Sequence, residues 1–439
     1  MFDRRLLSNF DWLLLFLTLL ICLIGVASIY SASKGYPGES NYWVKQLYWI
    51  GIGCIMGFAV LLVDFRTLAS LSYPLHGLVT LSLVVLALMP SGGQVNRWFL
   101  LGPVAVQPSE FVKFSLVMAV AYYFRDGRRV GAVGPRTLVI PLLLVLGPFV
   151  LIVNQPDLGT ALLLFLIFLP MVVLAGLRMR LLLMLVAAFV VGAVLIVASF
   201  QFGFYRMDSK VRETLRKERL ATAPLEQLAA MDGRWFYTEE GMRQGVLETL
   251  GDDASPKVVR KAVEAGYHTY ISLLLRPYQQ RRLVTFVDPE QDPLGAGYHV
   301  IQSRVAVGSG RLTGKGYGQS TQGTLNFLPE RHTDFIFAIF AEEWGFLGAF
   351  GLIGLYILLI WRCLSIIFQT HDRFSAFVTM GVVTIITTQM LINIGMAIGL
   401  LPVVGVPLPF FSYGGSSMMT LLMGIAILLN IRMRRFLWA

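Results

Sequence analysis

The sequence predicts an all-α polytopic membrane protein. Its 439 residues are 56% hydrophobic and only 14% charged, whereas a soluble domain carries about 25% charged residues. Apolar stretches recur along the chain at about the 20-residue length that crosses roughly 30 Å of hydrocarbon. The short loops between them alternate between basic and nearly uncharged. These observations exclude a soluble enzyme, a disordered chain and a disulfide scaffold.

Ten of the apolar stretches are predicted to be transmembrane helices. The first is too long for the apolar core of a signal peptide, so we expect it to be retained. The stretches cover about 12–32, 45–63, 72–90, 108–124, 137–154, 157–176, 179–203, 334–361, 374–400 and 413–431. The predicted domains are therefore spans 1–7 (1–203), a large loop between spans 7 and 8 (204–333), and spans 8–10 (334–439).

The loop charges predict the orientation of the chain. One alternate set of loops holds 14 arginines, whereas the opposite short loops hold only Lys34, Lys45 and Arg97. Cytoplasmic loops are the basic ones, and long loops cross the membrane regardless of their charge. We therefore expect both termini in the cytoplasm and residues 204–333 outside it.

The large outer loop divides into two parts by composition. Residues of about 206–265 are charged and favour helices, which predicts a small helical insert. Its surface is either simply solvated or a docking surface for a partner or for anionic headgroups. Residues of about 276–332 are rich in glycine. The GKG around Lys315 lacks the residues of a phosphate-binding loop, since Ser309 and Gly316 replace the glycine and the hydroxyl residue of that motif, and this argues against ATP hydrolysis.

Ionisable residues in spans are energetically costly and commonly functional. Glu110 and Lys113 are three residues apart on one helix, where they can pair. The pair either fixes helix packing or lines a polar cavity. Asp157 follows a proline at a helix start, where a carboxylate caps free N–H groups.

Two further places in the spans carry unusual residues. Glu342 and Glu343 are adjacent, so their side chains point about 100° apart and at most one is expected to face a given cavity. Helix packing or pairing is the favoured interpretation for both. The segment GVPLPFFSYGGSS breaks the helix before the last span, and irregular backbone at that depth must lie against protein or a polar cavity.

Metal and thiol chemistry find no support in the sequence. No His, Asp or Glu cluster has a recognisable metal-ligand spacing, and Cys22, Cys54 and Cys363 lie in or beside apolar runs. The acids of the glycine-rich part, Asp288 and Asp292 among them, are by themselves typical of solvated turns.

Several long motifs resemble the SEDS family (shape, elongation, division and sporulation), its elongation branch more than its division branch. The matching strings are NRWF with QPSEFVKF, NQPDLGTALL, YQQRRLVTFVDPEQDPLGAGYHVIQS, GSGRLTGKGYGQSTQGTLNFLPERHTDFIFAIFAEEWGFLG and PLPFFSYGGSS. With the ten spans they cover nearly the whole chain. The insert at about 206–265 is longer than the family pattern, which puts partner geometry in doubt but not the core.

The resemblance implies a peptidoglycan glycosyltransferase that polymerises lipid II, a disaccharide-pentapeptide on undecaprenyl diphosphate, for cell elongation and rod shape. It implies a bacterial inner-membrane location, a class B penicillin-binding protein as partner, and further proteins of the elongation complex; no nucleic acid is expected. The catalytic residue that it implies is Asp292 and not Asp288. Other positions that the family uses are Trp98, Glu110, Lys113, Asp157, Glu330, His332 and Ser416.

The stereochemistry of the implied reaction determines which groups the site must contain. An α-linked diphosphate donor gives a β-1,4 link only if the anomeric centre inverts once, which needs one base and no covalent sugar–enzyme intermediate. Asp292, ionised at neutral pH, is the hypothetical base. Cationic side chains must stabilise the departing diphosphate, and the candidates are Arg97, Lys113, Arg276, Arg281, Arg282 and Arg304. We expect no organic cofactor, and a divalent cation held partly by substrate phosphates stays open.

Two functions of other classes compete with polymerisation. A lipid II flippase needs charged groups through the membrane, whereas Glu110, Lys113 and Asp157 cluster at the outer ends of spans. A non-catalytic scaffold of the elongation complex needs no base at all. We expect deletion of about 208–265 to spare the core fold and to alter coupling to the partner.

Overall fold

A computed structural model describes most of the predicted helices. The residues that it describes are 9–33, 41–89, 97–101, 104–127, 130, 133–155, 157–184, 187, 191, 204–206, 235–236, 239–250, 255–268, 282, 286, 296–324, 328 and 330–434. The chain divides into two compact units, of which unit 1 comprises residues 1–182 and 288–439, and unit 2 comprises residues 183–287.

Unit 1 is a bundle of apolar helices. Its elements in chain order are α1 (Trp12–Ser33), α2 (Tyr42–Leu62), α3 (Phe65–Ser70), α4 (Ser72–Leu88), β1 (Phe99–Leu101), β2 (Val104–Val106), α5 (Pro108–Phe124), α6 (Pro135–Asn154) and α7 (Leu158–Leu174). After unit 2 it continues with α10 (Ala296–Ser309), α11 (Thr321–Thr324), α12 (Ile336–Gln369), α13 (Arg373–Ala397) and α14 (Gly415–Arg434).

The lengths of these helices agree with a multi-pass membrane protein. Within the described ranges, α1, α2, α6, α12, α13 and α14 are six helices long and apolar enough to cross a membrane, while α4 and α7 are shorter apolar helices. The predicted seventh span, 179–203, falls mostly outside the described residues. The predicted break before the last span is present, since residues 398–414 between α13 and α14 are not helical.

The core of unit 1 lies around α5, α13 and α14. These helices bury most of their side chains inside the bundle. Small residues allow α2 to approach α14: a methyl group on Gly53 would meet Leu422, and one on Gly57 would meet Ala426. α2 and α6 instead expose most of their apolar surface, as expected of helices that face lipid.

The bundle has two chemically different ends. The glycine-rich end holds the end of α1 and the starts of α5, α7, α12 and α14. The arginine-rich end holds the start of α1 and the ends of α2, α5, α12 and α14. There the buried carboxylate of Asp11 accepts hydrogen bonds from Arg362 and Arg432, which come from α12 and α14. Arg434 makes a longer ion pair with the exposed Asp64, at 3.5 Å.

Unit 2 contains both helices and strands. Its elements are β3 (Phe204–Arg206), β4 (Trp235–Phe236), α8 (Glu239–Leu250), α9 (Pro256–Gly266) and β5 (Tyr267–His268). The strands form an antiparallel sheet in the order β4-β3-β5. The described part of the predicted helical insert therefore contains two helices and, in addition, short strands. Strands of two or three residues are too short to show the alternating pattern that identifies a strand in a sequence.

Candidate functional site

The start of α5 carries a buried ion pair at the glycine-rich end. Pro108 occupies the first turn of α5, where its missing N–H has no intrahelical partner to lose. One turn later, Lys113 Nζ lies 2.8 Å from Glu110 Oε2, with only 1% of the lysine exposed. The predicted i, i+3 pair is therefore present. Because Glu110 already neutralises Lys113, this lysine is not a free cation in the structure.

Gln107 connects three helix starts. Its side-chain amide donates to Asp157 Oδ2 at 3.4 Å, and its backbone N–H donates to Ser416 Oγ at 3.0 Å. The other Asp157 oxygen accepts from the backbone N–H of Thr160 at 3.1 Å, which is the predicted cap of α7. The starts of α5, α7 and α14 thus meet in one polar cluster, which we call the Gln107 cluster (Gln107, Asp157 and Ser416).

Two polar groups next to the Gln107 cluster are buried without a hydrogen-bond partner among the described residues. They are Ser109 Oγ, beside Glu110, and Gln155 Nε2, two residues before Asp157. A buried polar group without a partner is unfavourable by about 1–3 kcal/mol. Such groups are suited to bind a polar ligand, which would satisfy them.

An aromatic cluster surrounds His332 at the same end of the bundle. The His332 ring stacks on Tyr42 with centroids 4.4 Å apart, and Tyr413 packs against both rings. The His332 carbonyl accepts from the Tyr413 backbone N–H at 2.9 Å. Gln46 of α2 binds the same loop, since its amide donates to the Ser412 carbonyl at 3.0 Å. The loop before α14 is therefore held by α2 and by residues 332–333.

Glu330 and Arg304 have direct structural contacts. Glu330 is exposed, has a positive φ of 52°, and accepts from the Thr333 hydroxyl at 3.1 Å. Arg304 Nη2 donates to the Gly399 carbonyl at 2.9 Å, just after the end of α13. Arg304 therefore helps to hold the turn that follows α13.

The remaining predicted site residues lie apart or outside the described residues. Arg97 is half-buried and Trp98 is exposed, and both precede the β1–β2 hairpin whose second strand leads to Gln107. Asp292 and Arg281 lie outside the described residues. Asp292 stands four positions before Ala296, where α10 begins.

α12 is interrupted at Gly345, and backbone groups on both sides of the interruption bind the glycine-rich segment 310–321. Gly345 has φ 65° and ψ −165°, which interrupts the helix. The carbonyls of Glu342 and Glu343 accept from the N–H groups of Lys315 and Gly316, both at 3.0 Å. In return, the N–H groups of Phe346 and Leu347 donate to the carbonyls of Arg311 and Leu312. The segment thus satisfies backbone groups that the break exposes, as an irregular backbone in a membrane protein requires.

Both glutamates of α12 contact this segment. Glu342 binds Lys315, Ser320 and Thr321, while Glu343 binds Ser31 and the Gly318 N–H. Glu342 is ion-paired with Lys315, which agrees with the favoured interpretation of helix packing or pairing, and the segment also reaches Glu343. We call segment 310–321 together with Glu342 and Glu343 the glutamate clamp.

Two titratable residues near the glycine-rich end have shifted pKa values. Burial lowers the pKa of His299, and the nearby carboxylate of Glu330 offsets part of that shift. Burial raises the pKa of the Tyr317 hydroxyl, and the charge of Glu343 adds to it. His299 is therefore neutral at pH 7 and stacks on Phe335.

The described residues contain no group of three or more His, Cys, Asp or Glu side chains that could hold a metal ion. Three of the carboxylates that they bring to the glycine-rich end are paired: Glu110 with Lys113, Glu342 with Lys315, and Asp157 with a backbone N–H group.

Sequence reasoning missed several residues of this end. Gln107 is the most important of them, followed by Gln46 and the aromatic partners of His332. Gln46 was detectable as a polar side chain in an apolar stretch, and it is almost fully buried. Gln107 gave no such signal, because its partners are 50 and 309 positions away in the chain.

Comparisons with known proteins agree with the predicted family. The family model FtsW/RodA/SpoVE, described as a cell cycle protein, matches residues 11–219 and 255–436. The unmatched residues 220–254 fall within the predicted insert. The match thus covers most of both units except the middle of unit 2.

Individual relatives and one solved structure extend the match to nearly the full chain. The peptidoglycan glycosyltransferase RodA of Treponema pallidum is 31% identical over 98% of this chain and 98% of its own. The peptidoglycan glycosyltransferase MrdB of Escherichia coli is 37% identical over 77% of this chain and 71% of its own. A chain from a peptidoglycan synthase complex, solved to study how polymerization and crosslinking are coordinated, is 27% identical with a TM-score of 0.68, covering 97% and 98% of the two chains.

Proposed function

The chain belongs to the FtsW/RodA/SpoVE family, and from that premise we propose that it is a peptidoglycan glycosyltransferase that polymerises lipid II. The names of its relatives support the reaction class. The observation in this chain that best supports the proposal is the Gln107 cluster, beside which Ser109 Oγ and Gln155 Nε2 have no hydrogen-bond partner among the residues that the structure describes. A lipid-linked sugar has its polar head at the membrane surface, where this cluster offers polar contacts.

In the proposed reaction, Asp292 acts as the general base. Its carboxylate takes the proton of the 4-hydroxyl of the acceptor sugar while the oxygen attacks the anomeric carbon of the donor. The new C1–O4 bond forms as the bond from C1 to the diphosphate oxygen breaks, and the undecaprenyl diphosphate leaves with the electron pair. A single displacement of this kind inverts the anomeric centre. General-base catalysis of this kind contributes about 100-fold or more to the rate.

Positive side chains stabilise the departing diphosphate in this proposal. Arg97 and Arg281 are proposed to contact the diphosphate directly. Lys113 and Arg304 contribute only if substrate competes with Glu110 and with the Gly399 carbonyl, their partners in the structure. Trp98, Glu330, His332 and Ser416 line the path of the sugar head in the proposed site.

The proposed setting is the elongation of a bacterial cell. In this proposal the protein lies in the inner membrane with both termini in the cytoplasm, and the glycine-rich end with residues 204–333 is extracytoplasmic. The strings GSGRLTGKG and LPERHTDF support a role in rod shape rather than in division. The related chain from a peptidoglycan synthase complex supports a class B penicillin-binding protein as the transpeptidase partner.

The test is polymerisation of purified lipid II by the full-length protein with its transpeptidase partner. We expect glycan strands from the wild type and none from Asp292→Ala, with equal amounts of folded protein in detergent. Adding a chelator decides whether a divalent cation takes part. If the wild type moves lipid II across liposomes without forming product, the protein is a flippase and the proposal is wrong.

A further inference from the structure

The two glutamates of the clamp use their oxygens differently. Both oxygens of Glu342 are occupied: one accepts from Lys315 and from the N–H and hydroxyl of Thr321, and the other from the Ser320 hydroxyl and the Gln322 N–H. Glu343 Oε1 accepts from the Ser31 hydroxyl and the Gly318 N–H, and the Ser320 backbone N–H also contacts this carboxylate, while Glu343 Oε2 has no hydrogen-bond partner among the described residues.

The two side chains also differ in whether they form an ion pair. Glu342 is fully buried and makes an ion pair with Lys315, whose side chain is 28% exposed. Among the described residues, Glu343 makes no ion pair. Glu342 therefore needs its negative charge and both of its oxygens, whereas Glu343 needs only one accepting oxygen, which the amide of glutamine also provides.

The glutamate clamp lies at the end of the helix that follows Asp292. α10 begins four residues after Asp292 and ends at Ser309, where the chain enters the clamp. The middle of α10 is held to the end of α13, because Ser303 donates to the Ala397 carbonyl at 2.7 Å and Arg304 to the Gly399 carbonyl. α10 is thus held at two places, at its middle by the end of α13 and at its C-terminal end by the clamp.

Gly310 and Gly314 allow the backbone of the segment to lie directly against the backbone of α12. A methyl group on Gly310 would come within 2.1 Å of the Ala341 carbonyl oxygen, and one on Gly314 within 2.1 Å of the Glu343 carbonyl oxygen. At such backbone contact a helix and a segment cannot slide without breaking the hydrogen bonds between them. A displacement at the clamp is thus transmitted to α10.

We propose that Glu342 and Lys315 are positioning residues for glycan polymerisation, and that their ion pair holds α10 so that Asp292 reaches the acceptor sugar. This inference rests on the proposed function, which assigns the base. Neither residue touches substrate in this account. Glu343 supports the same segment through hydrogen bonds alone, so it serves as a matched control on the adjacent position.

The experiment measures polymerisation against lipid II concentration for full-length protein with its partner. We expect Glu342→Gln and Lys315→Met to lower kcat about tenfold or more, because each breaks charge-assisted hydrogen bonds. KM should stay within about threefold, because substrate contacts are unchanged. Glu343→Gln should stay within about twofold of the wild type in both constants, and Lys315→Arg should retain more kcat than Lys315→Met.

Hydrogen exchange gives a second readout that is independent of the reaction. The amides of residues 315–322 should exchange faster in Glu342→Gln and at the wild-type rate in Glu343→Gln. If a single variant does not fold, the double variant Lys315→Met/Glu342→Gln replaces it, since removing both charges leaves none buried alone. A loss of kcat in the double variant no greater than in one single variant supports the ion pair as one unit.

Three results would overturn the inference. They are full kcat in Glu342→Gln, equal losses in Glu342→Gln and Glu343→Gln, and a double variant whose loss is the sum of the two single losses. Asp292→Asn is measured in the same series. If Asp292→Asn is inactive while Glu342→Gln is fully active, only the positioning role fails; if Asp292→Asn is fully active, the proposed base assignment fails.

Discussion

The buried carboxylates at the two ends of the helix bundle have different kinds of partner. At the arginine-rich end, Asp11 has two arginine partners and joins the starts and ends of chain-distant helices. At the glycine-rich end, Glu342 has one lysine partner and is otherwise held by hydroxyl and N–H groups of an irregular segment. The Gln107 cluster at that end also has polar neighbours, Ser109 and Gln155, with side-chain atoms that have no hydrogen-bond partner in the part of the chain that the structure describes.

This difference between the two ends suggests that the arginine-rich end stabilises the fold, whereas the glycine-rich end also takes part in the reaction. An ion pair between helices contributes to assembly of the bundle and offers nothing to a substrate. A segment held by many small donors over a broken helix keeps a defined position at the surface where substrate must bind. We therefore expect changes at the arginine-rich end to alter stability alone, and changes at the glycine-rich end to alter the rate as well.

Gly345→Ala should have the largest effect on both the stability and the polymerisation rate. The position needs a positive φ, and a methyl group would come within 2.2 Å of the Gly314 backbone nitrogen. Strain of this kind costs about 3 kcal/mol, and the contacts between α12 and segment 310–321 would be lost with it. The melting temperature in detergent and the polymerisation rate should both fall.

Gly351→Ala is the matched control on the same helix. No atom lies within 4 Å of the methyl group that it would add, and alanine favours a helix over glycine by about 1 kcal/mol. This variant should be as stable as the wild type or slightly more so. If both glycine variants behave alike, the break in α12 has no special role.

Asp11→Asn should lower stability without lowering the rate per folded molecule. Asparagine can still accept from the Leu14 N–H, as Asp11 does at 3.1 Å, so the substitution removes the charge and keeps the cap. Loss of one partner from a buried ion pair costs about 3 kcal/mol. Asp64→Asn at the same end is the control. Its exposed pair with Arg434 should contribute less than about 1 kcal/mol.

A lower rate per folded molecule in Asp11→Asn would contradict the division between the two ends. It would mean that the arginine-rich end transmits its state to the reaction site through α12, which extends from one end to the other.

The pH dependence of stability through His299 should be the smallest effect. The pKa of His299 is lower in the folded protein than its ordinary value near 6.5, because of burial. Below about pH 6.5 the unfolded chain binds a proton that the folded protein does not, so stability falls as the pH is lowered. The melting temperature between pH 7.5 and 5.5 should fall less steeply in His299→Gln than in the wild type. An unchanged slope would rule out this contribution.

Local chemistry of the site was predictable from the sequence, and long-range contacts were not. The Glu110–Lys113 pair and the Asp157 cap depend on spacings of three residues, which helix geometry fixes. The Gln107 cluster depends on residues brought together from three helix starts, and no periodicity indicates that. The family resemblance was carried by long motifs and is confirmed.

The sequence does not show where the regular geometry of α12 ends. Gly345 interrupts the helix just after Glu342 and Glu343, and nothing distinguishes this glycine from Gly348 or Gly351 in the sequence. The contact of Arg304 with the Gly399 carbonyl joins residues 95 positions apart, so no sequence pattern indicates it. The role of Asp292 stays a prediction.

The most direct test compares two aspartates that lie four positions apart in the sequence. Asp288→Asn and Asp292→Asn remove the same charge from the same segment, VDPEQDPLG. With saturating lipid II and the transpeptidase partner, we expect Asp288→Asn to polymerise at close to the wild-type rate and Asp292→Asn to lose about 100-fold or more. Equal rates for the two variants would contradict the account.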